Sequence, residues 1–407
     1  MKRLLLCFSC VSLSSFFVFI SISIASLFLI SCVSVAGGNN LSGLKPNSPL
    51  LNVADVAVTA NRAADWQLAH MQSFDYVRTF RDHTESPHGW VQGAFFVGLN
   101  RWADYSQNPR YLQALVVKGQ SNKWKLGDKS WHADDQVIGF TYAAVAARTN
   151  NLAFIAPTQK IMNDILANRA THSLEYQPDP TGQGEATCQR RWCWCDALFM
   201  APPVWAAVGK LTGDPAYLNY VDEEYQATID YLFDKNEHLF YRDGRFFERR
   251  SKNDKKIFWS RGNGWVFAGL PLLIEQIPAH DPRKQKYENL FKTMAASLLK
   301  LQQPNGFWPS SLLDKDEFNV PETSGTGFMT FGLAWGINNG LLDSTDYLPA
   351  VALGWNGLAS AVDQQGRLGW VQQVGASPEK ILPEDTQLYG VGALLLAASE
   401  VSRLLPR

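Results

Sequence analysis

The stretch GWVQGAFFVGLNRWADYSQNPRYL, residues 89–112, contains the pattern that decides the fold. Its first part, residues 89–104, carries small and apolar residues on nearly every face of a helix, which predicts a helix that is buried all round. Its last five residues, NPRYL, place Asn before Pro, and this pair is a typical start of a new helix. The stretch therefore predicts a buried helix, a short turn and the start of a more polar helix.

The same two-helix pattern recurs along the chain. The buried segments are residues 89–104, 134–149, 196–213, 262–278, 324–342 and 389–405. The amphipathic segments start near Val53, Pro109, Leu152, Pro215, Pro282 and Tyr347. Several are announced by similar phrases, namely NPRYL (108–112), DPAYL (214–218) and STDYL (344–348). A repeated two-helix unit indicates one closed or stacked array rather than several separate domains.

The connections between helices are unequal in length. The long ones all lead into buried segments, at residues 74–88, 121–133, 170–195, 235–261, 303–323 and 364–388. Long structured loops are where binding and catalysis collect. We therefore predict an all-α fold over residues 53–407, an (α/α)6 barrel of six inner and six outer helices, with the site at the N-terminal end of the inner helices. An open α-solenoid is the alternative, because spacing does not show ring closure. We also expect some strand within residues 238–250.

The N-terminus predicts export. Lys2 and Arg3 precede an apolar stretch, which is typical of a signal peptide, here over residues 1–36. The segment LISC (29–32) resembles a lipobox that would leave Cys32 lipidated, whereas SVA (34–36) suits ordinary signal peptidase. An uncleaved anchor is a third possibility, since the apolar stretch is long. With residues 37–52 as a linker, the sequence predicts a periplasmic protein or a membrane-anchored lipoprotein that meets the membrane only through this anchor.

Composition excludes some partners and favours others. The formal net charge of −1 gives no indication of nucleic-acid binding. Much of the aromatic content, with 14 Trp and 13 Tyr, must be core, and exposed Trp and Tyr faces in a cleft would also suit sugar rings. No metal-ligand spacing or cofactor-binding motif occurs, so we expect no metal and no organic cofactor.

After the signal peptide three cysteines remain, Cys188, Cys193 and Cys195, for which we expect buried thiols or one local disulfide.

Polar and aromatic residues interrupt the apolar pattern where the buried helices begin. They are His88, Trp90, Asp134, Asp135, Trp194, Asp196, Trp259, Arg261, Asn263, Trp265, Glu322, Thr323, Asp385 and Tyr389. Two carboxylates from separate helices, walled by Trp, indicate glycosidic bond chemistry.

Each of these residues also has a structural interpretation. Asp196 could serve only as a helix N-cap. Of the adjacent pair Asp134 and Asp135, at most one faces the site, because neighbouring helical side chains point about 100° apart. Arg261 could be the structural partner of a buried acid. The tryptophans could be core residues.

Four motifs carry a family resemblance. They are WCWCDALFMAPP (192–203), FWSRGNGW (258–265), PETSGTGF (321–328) and YGVGALLLAASEV (389–401). They resemble glycoside hydrolase family 105, the unsaturated rhamnogalacturonyl hydrolases, which are related to the unsaturated glucuronyl hydrolases of family 88. The resemblance extends from about residue 55 to residue 405. It implies an (α/α)6 barrel, which agrees with the repeat pattern.

The resemblance also implies an unusual hydrolysis. The substrate carries a 4,5-unsaturated uronic acid at its non-reducing end, left by a polysaccharide lyase and typically derived from pectin or rhamnogalacturonan. An aspartic acid donates a proton to C4 and then, as a carboxylate, activates the water that adds at C5. The resulting hemiketal opens and releases the sugar. An ordinary inverting glycosidase or epimerase on the same barrel, and a non-catalytic glycan-binding surface lipoprotein, are the competing functions.

The resemblance implies roles for individual residues. Asp196 matches the general acid/base and Asp134 the second acid of the site. Arg261 matches an arginine that would pair with the substrate carboxylate. Trp194, Trp259 and Trp265 match aromatic residues of the family site. With Trp90 and His88, which open the first buried segment, and Arg242, these residues complete a set of nine that we predict to be catalytic or substrate-binding.

One position departs from the family pattern. Rhamnogalacturonyl members have a Tyr-His pair where this chain has Tyr241-Arg242. Arg242 therefore puts the identity of the released sugar in doubt, and we expect loops 238–250 and 170–190 to set that preference.

Two opposing effects act on the pKa of Asp196. A proton donor to carbon must be protonated, and burial against Trp and Cys raises a carboxyl pKa, as does a nearby acid such as Asp134. A helix N-terminus lowers the pKa, but by less than burial raises it. We therefore expect the pKa of Asp196 to be raised.

Overall fold

The computed structural model describes residues 52–80, 85–177 and 186–405. Its helices are α1 (Val53–Ala69), α2 (Trp90–Ser106), α3 (Pro109–Ser121), α4 (Ile138–Thr149), α5 (Ala156–Ala167), α6 (Ala197–Met200), α7 (Pro202–Thr212), α8 (Pro215–Leu232), α9 (Ser260–Ile274), α10 (Pro282–Leu301), α11 (Thr323–Asn338), α12 (Ser344–Ser360) and α13 (Leu388–Leu404). These residues all lie within one compact unit. The predicted signal peptide, and the linker except Asn52, lie outside the described residues.

The helices form two concentric layers. The inner helices are α2, α4, α6 with α7, α9, α11 and α13, and their residues are buried on nearly every face; all fifteen residues of α9 are buried. The outer helices are α1, α3, α5, α8, α10 and α12, and each buries one stripe, such as Tyr111 and Leu115 of α3. The all-α prediction and the alternation of amphipathic and buried helices are therefore confirmed.

The inner helices close into a ring. Each packs against the next in chain order, and α13 packs back against α2. At this closing contact Gly98 of α2 meets Gly392 of α13, and a Cβ added at Gly98 would lie 2.2 Å from the Gly392 carbonyl oxygen. The absence of side chains allows the two backbones to touch. The fold is thus a closed (α/α)6 barrel, and the open solenoid is wrong.

Most outer helices begin as their sequences predict. Asn108, Asp214 and Asp281 stand before a proline at the first helical turn, and each side chain accepts a hydrogen bond from a backbone N–H of that turn. Asp343 caps α12 in the same way. These caps satisfy donors that the helix itself leaves unpaired.

The structure differs from the sequence prediction in where some elements begin, break or end. The second inner helix begins at Ile138 rather than Asp134, because residues Ala133–Asp135 form a separate 3-10 turn. The third inner helix is interrupted at Ala201, since the prolines that follow lack the N–H that would continue the helix. Among the described residues the strands are β1 (Phe233–Asp234) and β2 (Leu239–Phe240), so two residues of the 238–250 segment belong to a strand.

Within the part of the chain that the structure describes, no helix combines the length and the apolar character that crossing a lipid bilayer requires.

Candidate active site

A cavity of about 140 Å³ opens at the N-terminal end of the inner helices. Its lining residues are Trp90, Asp134, Trp194, Asp196, Met200, Arg242, Trp259, Arg261, Val374 and Gly375. They come from the starts of α2, α6 and α9, from the 3-10 turn before α4, and from two of the long loops. The barrel thus brings seven of the nine residues singled out from the sequence to one place.

Two of the nine do not line this cavity. Trp265 is 1% exposed and packs in the core, with its ring 6.2 Å from Trp90 and 4.7 Å from Phe199. It supports the wall from beneath, because it lies one turn into α9 and points inward. His88 precedes α2, and its Nε2 lies 3.4 Å from the carbonyl oxygen of Asn122.

Asp196 is buried and does not act as a helix cap. The residue is 8% exposed, and its side chain makes no capping hydrogen bond to α6, so the capping interpretation is wrong. Its Oδ2 instead lies 3.4 Å from Nε of Arg242 and 3.5 Å from Sγ of Cys195. The carboxyl group is therefore directed into the cavity wall, between a guanidinium and a thiol.

Burial raises the pKa of Asp196 above its ordinary value, and the positive charges of Arg242 and Arg261 offset only part of this effect. The direction agrees with the sequence-based expectation. Desolvation is the largest cause because the apolar walls exclude the water that would stabilise the carboxylate. A raised pKa makes the protonated acid available at a higher pH than for an exposed aspartate.

Asp134 faces the cavity, whereas its neighbour does not. Asp134 Oδ2 lies 3.8 Å from Nδ1 of His132, and its side chain is 26% exposed. The carboxylate of Asp135 turns back to accept a hydrogen bond from the backbone N–H of Lys129 at 2.7 Å. The expectation that only one of the two acids faces the site is confirmed.

His132 belongs to this region and was missed from the sequence. It is 5% exposed, its ring lies 4.7 Å from that of Trp194, and its Nε2 lies 3.0 Å from Nε2 of Gln189. A histidine two residues before an acid that opens a buried segment was the available signal. It orients Asp134 from one side and supports Trp194 from the other.

Arg261 is fully buried and bound to the backbone of a loop. Its guanidinium lies between the rings of Trp259, at 4.5 Å, and Tyr389, at 4.7 Å. Nη1 and Nη2 donate to the carbonyl oxygens of Gln372 and Gln373, while Nε has no hydrogen-bond partner in the described structure. The two Nη groups expected to bind a carboxylate are thus held by the loop, and the buried Nε has no acceptor in the described structure.

The loop that Arg261 holds lies within residues 364–388, one of the long loops expected at this end, but none of its residues 372–375 was singled out from the sequence. Val374 and Gly375 line the cavity, and Val374 is 45% exposed. Gln372 fixes the loop further, because its Oε1 accepts hydrogen bonds from Nε1 of Trp259 and Oγ of Ser310, both at 2.9 Å. Nothing in the local sequence marks these residues, since they reach the site only through the closed ring.

Met200, the last lining residue, follows Asp196 by four positions. That spacing places two side chains on one face of a helix, so the sequence did contain the signal for it.

Arg242 lines the cavity from the loop after β2. Its Nη1 donates to Oδ2 of Asp243 at 2.7 Å, and its carbonyl oxygen accepts from the backbone N–H of Cys195 at 2.8 Å. The backbone bond ties the loop after β2 to the segment that carries Asp196. Arg242 and Arg261 together give the cavity two positive charges beside the buried acid.

The three cysteines after the predicted signal peptide form one disulfide and one free thiol. Cys188 and Cys193 form a local disulfide, and Cys195 is free and buried. Burial raises the pKa of the Cys195 thiol, and the adjacent Asp196 adds to that shift, so Cys195 is a neutral, inert neighbour of the acid.

A larger cavity of about 320 Å³ lies at the opposite end of the barrel. Its charged lining residues already have partners: Arg101 binds Glu275 and Glu400, and Arg148 binds Asp104. It does not combine a buried acid of raised pKa with aromatic walls. We therefore assign the candidate active site to the smaller cavity, on chemistry rather than on size.

The family model of Glycosyl Hydrolase Family 88 matches residues 59–405. An unsaturated 3S-rhamnoglycuronyl hydrolase of Alteromonas sp. (strain LOR) is 43% identical over 346 residues, which cover 83% of this chain and 84% of that protein. Among solved structures, a family 88 glycosyl hydrolase from Bacteroides vulgatus has a TM-score of 0.75 at 29% identity, covering 87% of this chain and 100% of that one. A polysaccharide lyase has a TM-score of 0.74, also at 29% identity, covering 86% and 97%.

Proposed function

Because the chain belongs to glycosyl hydrolase family 88, we propose that it removes a 4,5-unsaturated uronic acid from the non-reducing end of oligosaccharides made by polysaccharide lyases. The family membership makes the protein a glycosidase. The observation that carries the substrate assignment is the buried acid Asp196, whose pKa is raised although two arginines face the same cavity. Such an acid holds a proton that it can give to carbon.

The proposed reaction uses Asp196 twice. The protonated carboxyl donates its proton to C4, and the double bond becomes an oxocarbenium-like centre at C5. The carboxylate left behind then takes a proton from a water molecule as the water oxygen bonds to C5. The product is a hemiketal, which opens to a ketone and releases the sugar that was attached. Arg242 Nε, 3.4 Å from Oδ2, stabilises the carboxylate during the interval between the two transfers.

The substrate carboxylate has two positively charged neighbours in the proposed complex. Nε of Arg261 is a buried donor without a hydrogen-bond partner, and it belongs to a residue that lines the cavity. A buried unpaired donor is costly, so a bound anion would supply the missing acceptor. Trp90, Trp194 and Trp259 provide apolar faces for the sugar ring.

We infer that the released unit begins with rhamnose. Arg242 had put this in doubt, but the Alteromonas relative that is 43% identical carries a rhamnoglycuronyl name. Unsaturated disaccharides in which the uronic acid is linked to rhamnose should therefore be cleaved faster than those linked to galacturonic acid or to an amino sugar. Equal rates on all of them would remove this inference and leave the bond-cleaving activity untouched.

The ultraviolet absorbance of the conjugated double bond tests the reaction directly. Incubation with lyase-digested rhamnoglycuronan or pectin should make the absorbance fall as free sugar appears. An ordinary inverting glycosidase would release sugar without a change in absorbance, and a lyase acting on intact polysaccharide would make it rise. A binding protein would produce neither change, and its affinity would tolerate Asp196→Asn.

We also propose that the protein is exported, with residues 1–36 as the signal peptide. Mass spectrometry of the mature N-terminus distinguishes the two forms. A diacylglyceryl group on Cys32 would indicate a lipoprotein, whereas an unmodified start at residue 37 would indicate a free periplasmic protein.

A further inference from the structure

Asp243 is a fully buried carboxylate that follows Arg242 in the chain. Its Oδ2 accepts from Nη1 of Arg242 at 2.7 Å and from Nη2 of Arg245 at 2.8 Å. Its Oδ1 accepts from the backbone N–H of Arg245 at 3.0 Å and from Nε of the same residue at 2.9 Å. Each oxygen is thus fully used, and the carboxylate is fixed in position.

Arg242 stands between two carboxylates and treats them differently. It makes a directed hydrogen bond to Asp243, whereas its approach to Asp196 is a 3.4 Å separation between Nε and Oδ2. Nε itself has no hydrogen-bond partner in the described structure. An unrestrained arginine beside a carboxylate usually forms two parallel N–H···O bonds, so the restraint from Asp243 needs an explanation.

We propose that Asp243 is a positioning residue that holds the Arg242 guanidinium out of a bidentate ion pair with Asp196, and so lets Asp196 keep its proton in the resting enzyme. The arginine remains close enough to stabilise the carboxylate after the proton has left. This inference rests on the proposed function, because it concerns the acid of that reaction.

The two acids that share Arg242 are shifted in opposite directions. For Asp243, burial alone would raise the pKa, but the hydrogen bonds from Arg245 and the charge of Arg242 outweigh burial and lower it. For Asp196, burial prevails and the pKa is raised. Pairs of acids pushed apart in this way typically divide ionised and protonated roles between them.

The charged and titratable groups around Asp196 come from four elements. Arg242 belongs to the loop after β2, Arg261 to α9, Asp134 to the 3-10 turn before α4 and Cys195 to the segment of Asp196 itself. Of the two arginines, Arg261 has its Nη groups bound to loop carbonyls. Arg242 is therefore the cation whose movement would change the ionisation of Asp196.

The backbone on both sides of Asp243 is fixed, so the side chain of Arg242 is the part that still needs restraint. Asp243 caps the 3-10 turn Gly244–Phe246, and a Cβ at Gly244 would lie 2.4 Å from the hydroxyl of Tyr231, so the turn is packed closely. The carbonyl of Arg242 is bound to Cys195. With the main chain fixed at both places, the direction of the guanidinium depends on Asp243.

Asp243→Asn tests the proposal, with Asp281→Asn as a matched control. Asp281 binds Arg283 through the same contacts, from the backbone N–H and Nε to Oδ1 and from Nη2 to Oδ2, at the start of α10 and outside the cavity lining. Each variant loses a carboxylate that binds an arginine side chain, so both lose stability. Only Asp243→Asn should also change the pH dependence.

The expected result is a shift of the alkaline limb of the kcat/KM profile to lower pH in Asp243→Asn. A full arginine–aspartate pair lowers the aspartate pKa by about 1 to 3 units, and Arg242 at 3.4 Å already supplies part of this effect, so we expect a further shift of about 1 unit. Asp243→Ser, which can still cap the turn, serves if Asn prevents folding, and should show the same shift. In the Arg242→Gln background, adding Asp243→Asn should leave the alkaline limb where it lies in Arg242→Gln alone. An unchanged limb, a shift to higher pH, or a shift that persists with Arg242→Gln would overturn the proposal.

A second measurement separates this inference from the proposed function. Titration of the Asp196 side-chain carbon by ¹³C NMR, assigned with Asp196→Asn, reports protonation without turnover. A protein inactive on unsaturated oligosaccharides would refute the proposed function, while a lower Asp196 midpoint in Asp243→Asn would still support the positioning role. An unchanged midpoint in an active enzyme would refute the positioning role alone.

Discussion

Asp196→Asn separates the ionisation state of this acid from its catalytic role. Asn has nearly the same shape and no charge, so its effect on stability depends on whether Asp196 is neutral in the folded protein. If Asp196 is neutral, the charges around Arg242 and Arg261 do not change, and the fold is preserved. If Asp196 were ionised, the substitution would break its buried ion pair with Arg242 and remove a negative charge near Arg261, at a cost of up to about 3–5 kcal/mol.

The sign of the pH dependence follows from the raised pKa. An unfolded aspartate titrates near about 3.9. Because the folded pKa of Asp196 lies above that value, the contribution of Asp196 to wild-type stability is fully present below about pH 3.9 and is lost as the pH rises through the folded pKa. Asn does not titrate, so the free energy of unfolding of the variant should equal that of the wild type in acid. It should exceed that of the wild type increasingly as the pH rises. Each unit between the two pKa values corresponds to about 1.4 kcal/mol.

The activity of the same variant should collapse. Each proton transfer by a positioned acid or base contributes about 10²–10⁴-fold, and Asp196 performs two, so we expect a loss of at least about 10⁴-fold in kcat.

Urea unfolding at a series of pH values and the ultraviolet assay measure both effects, with Asp214→Asn, a capping change at the start of α8, as the control. A strongly destabilised Asp196→Asn would show that the acid is ionised, and near wild-type activity would remove Asp196 from the mechanism.

Three further predictions concern the closure of the ring, the disulfide and the buried arginine. Gly98→Ala should destabilise the barrel by about 1–3 kcal/mol in urea unfolding, because its Cβ would meet the backbone of Gly392. Replacing Cys188 and Cys193 together by Ser should cost about 2 kcal/mol, since the disulfide closes a short loop. Arg261→Lys should lower both stability and kcat/KM, because Lys cannot reproduce the fork that binds two loop carbonyls, and an unpaired buried carbonyl costs about 1–3 kcal/mol.

Each of these has a control or a refuting outcome. Gly209→Ala places a Cβ no closer than 3.3 Å to its neighbours, so it should be tolerated where Gly98→Ala is not. Full stability of Gly98→Ala would contradict the close backbone contact. A double cysteine variant as stable in oxidising buffer as the wild type would show that the disulfide contributes nothing. Wild-type kcat/KM in Arg261→Lys would show that neither the loop nor this arginine acts on substrate.

The repeat pattern was sufficient to predict two layers of helices, because burial on every face and burial on one face leave different patterns in a sequence. Small and apolar residues throughout α9 and α11, and capped polar helices such as α8 and α10, indicated inner and outer layers before any coordinates. The alternation also placed the long loops at one end. Six of the residues chosen on that basis, among them Asp196 and Arg261, line one cavity.

Only the tertiary structure decided how those residues act on one another. Ring closure depends on the contact between Gly98 and Gly392, nearly three hundred positions apart, which no local pattern encodes. The same is true of Arg261, whose Nη groups are held by a loop that belongs to another repeat, and of Asp243, which no sequence pattern singles out. Local sequence determines which faces seek burial, whereas hydrogen bonds and desolvation between distant segments determine which acid holds a proton.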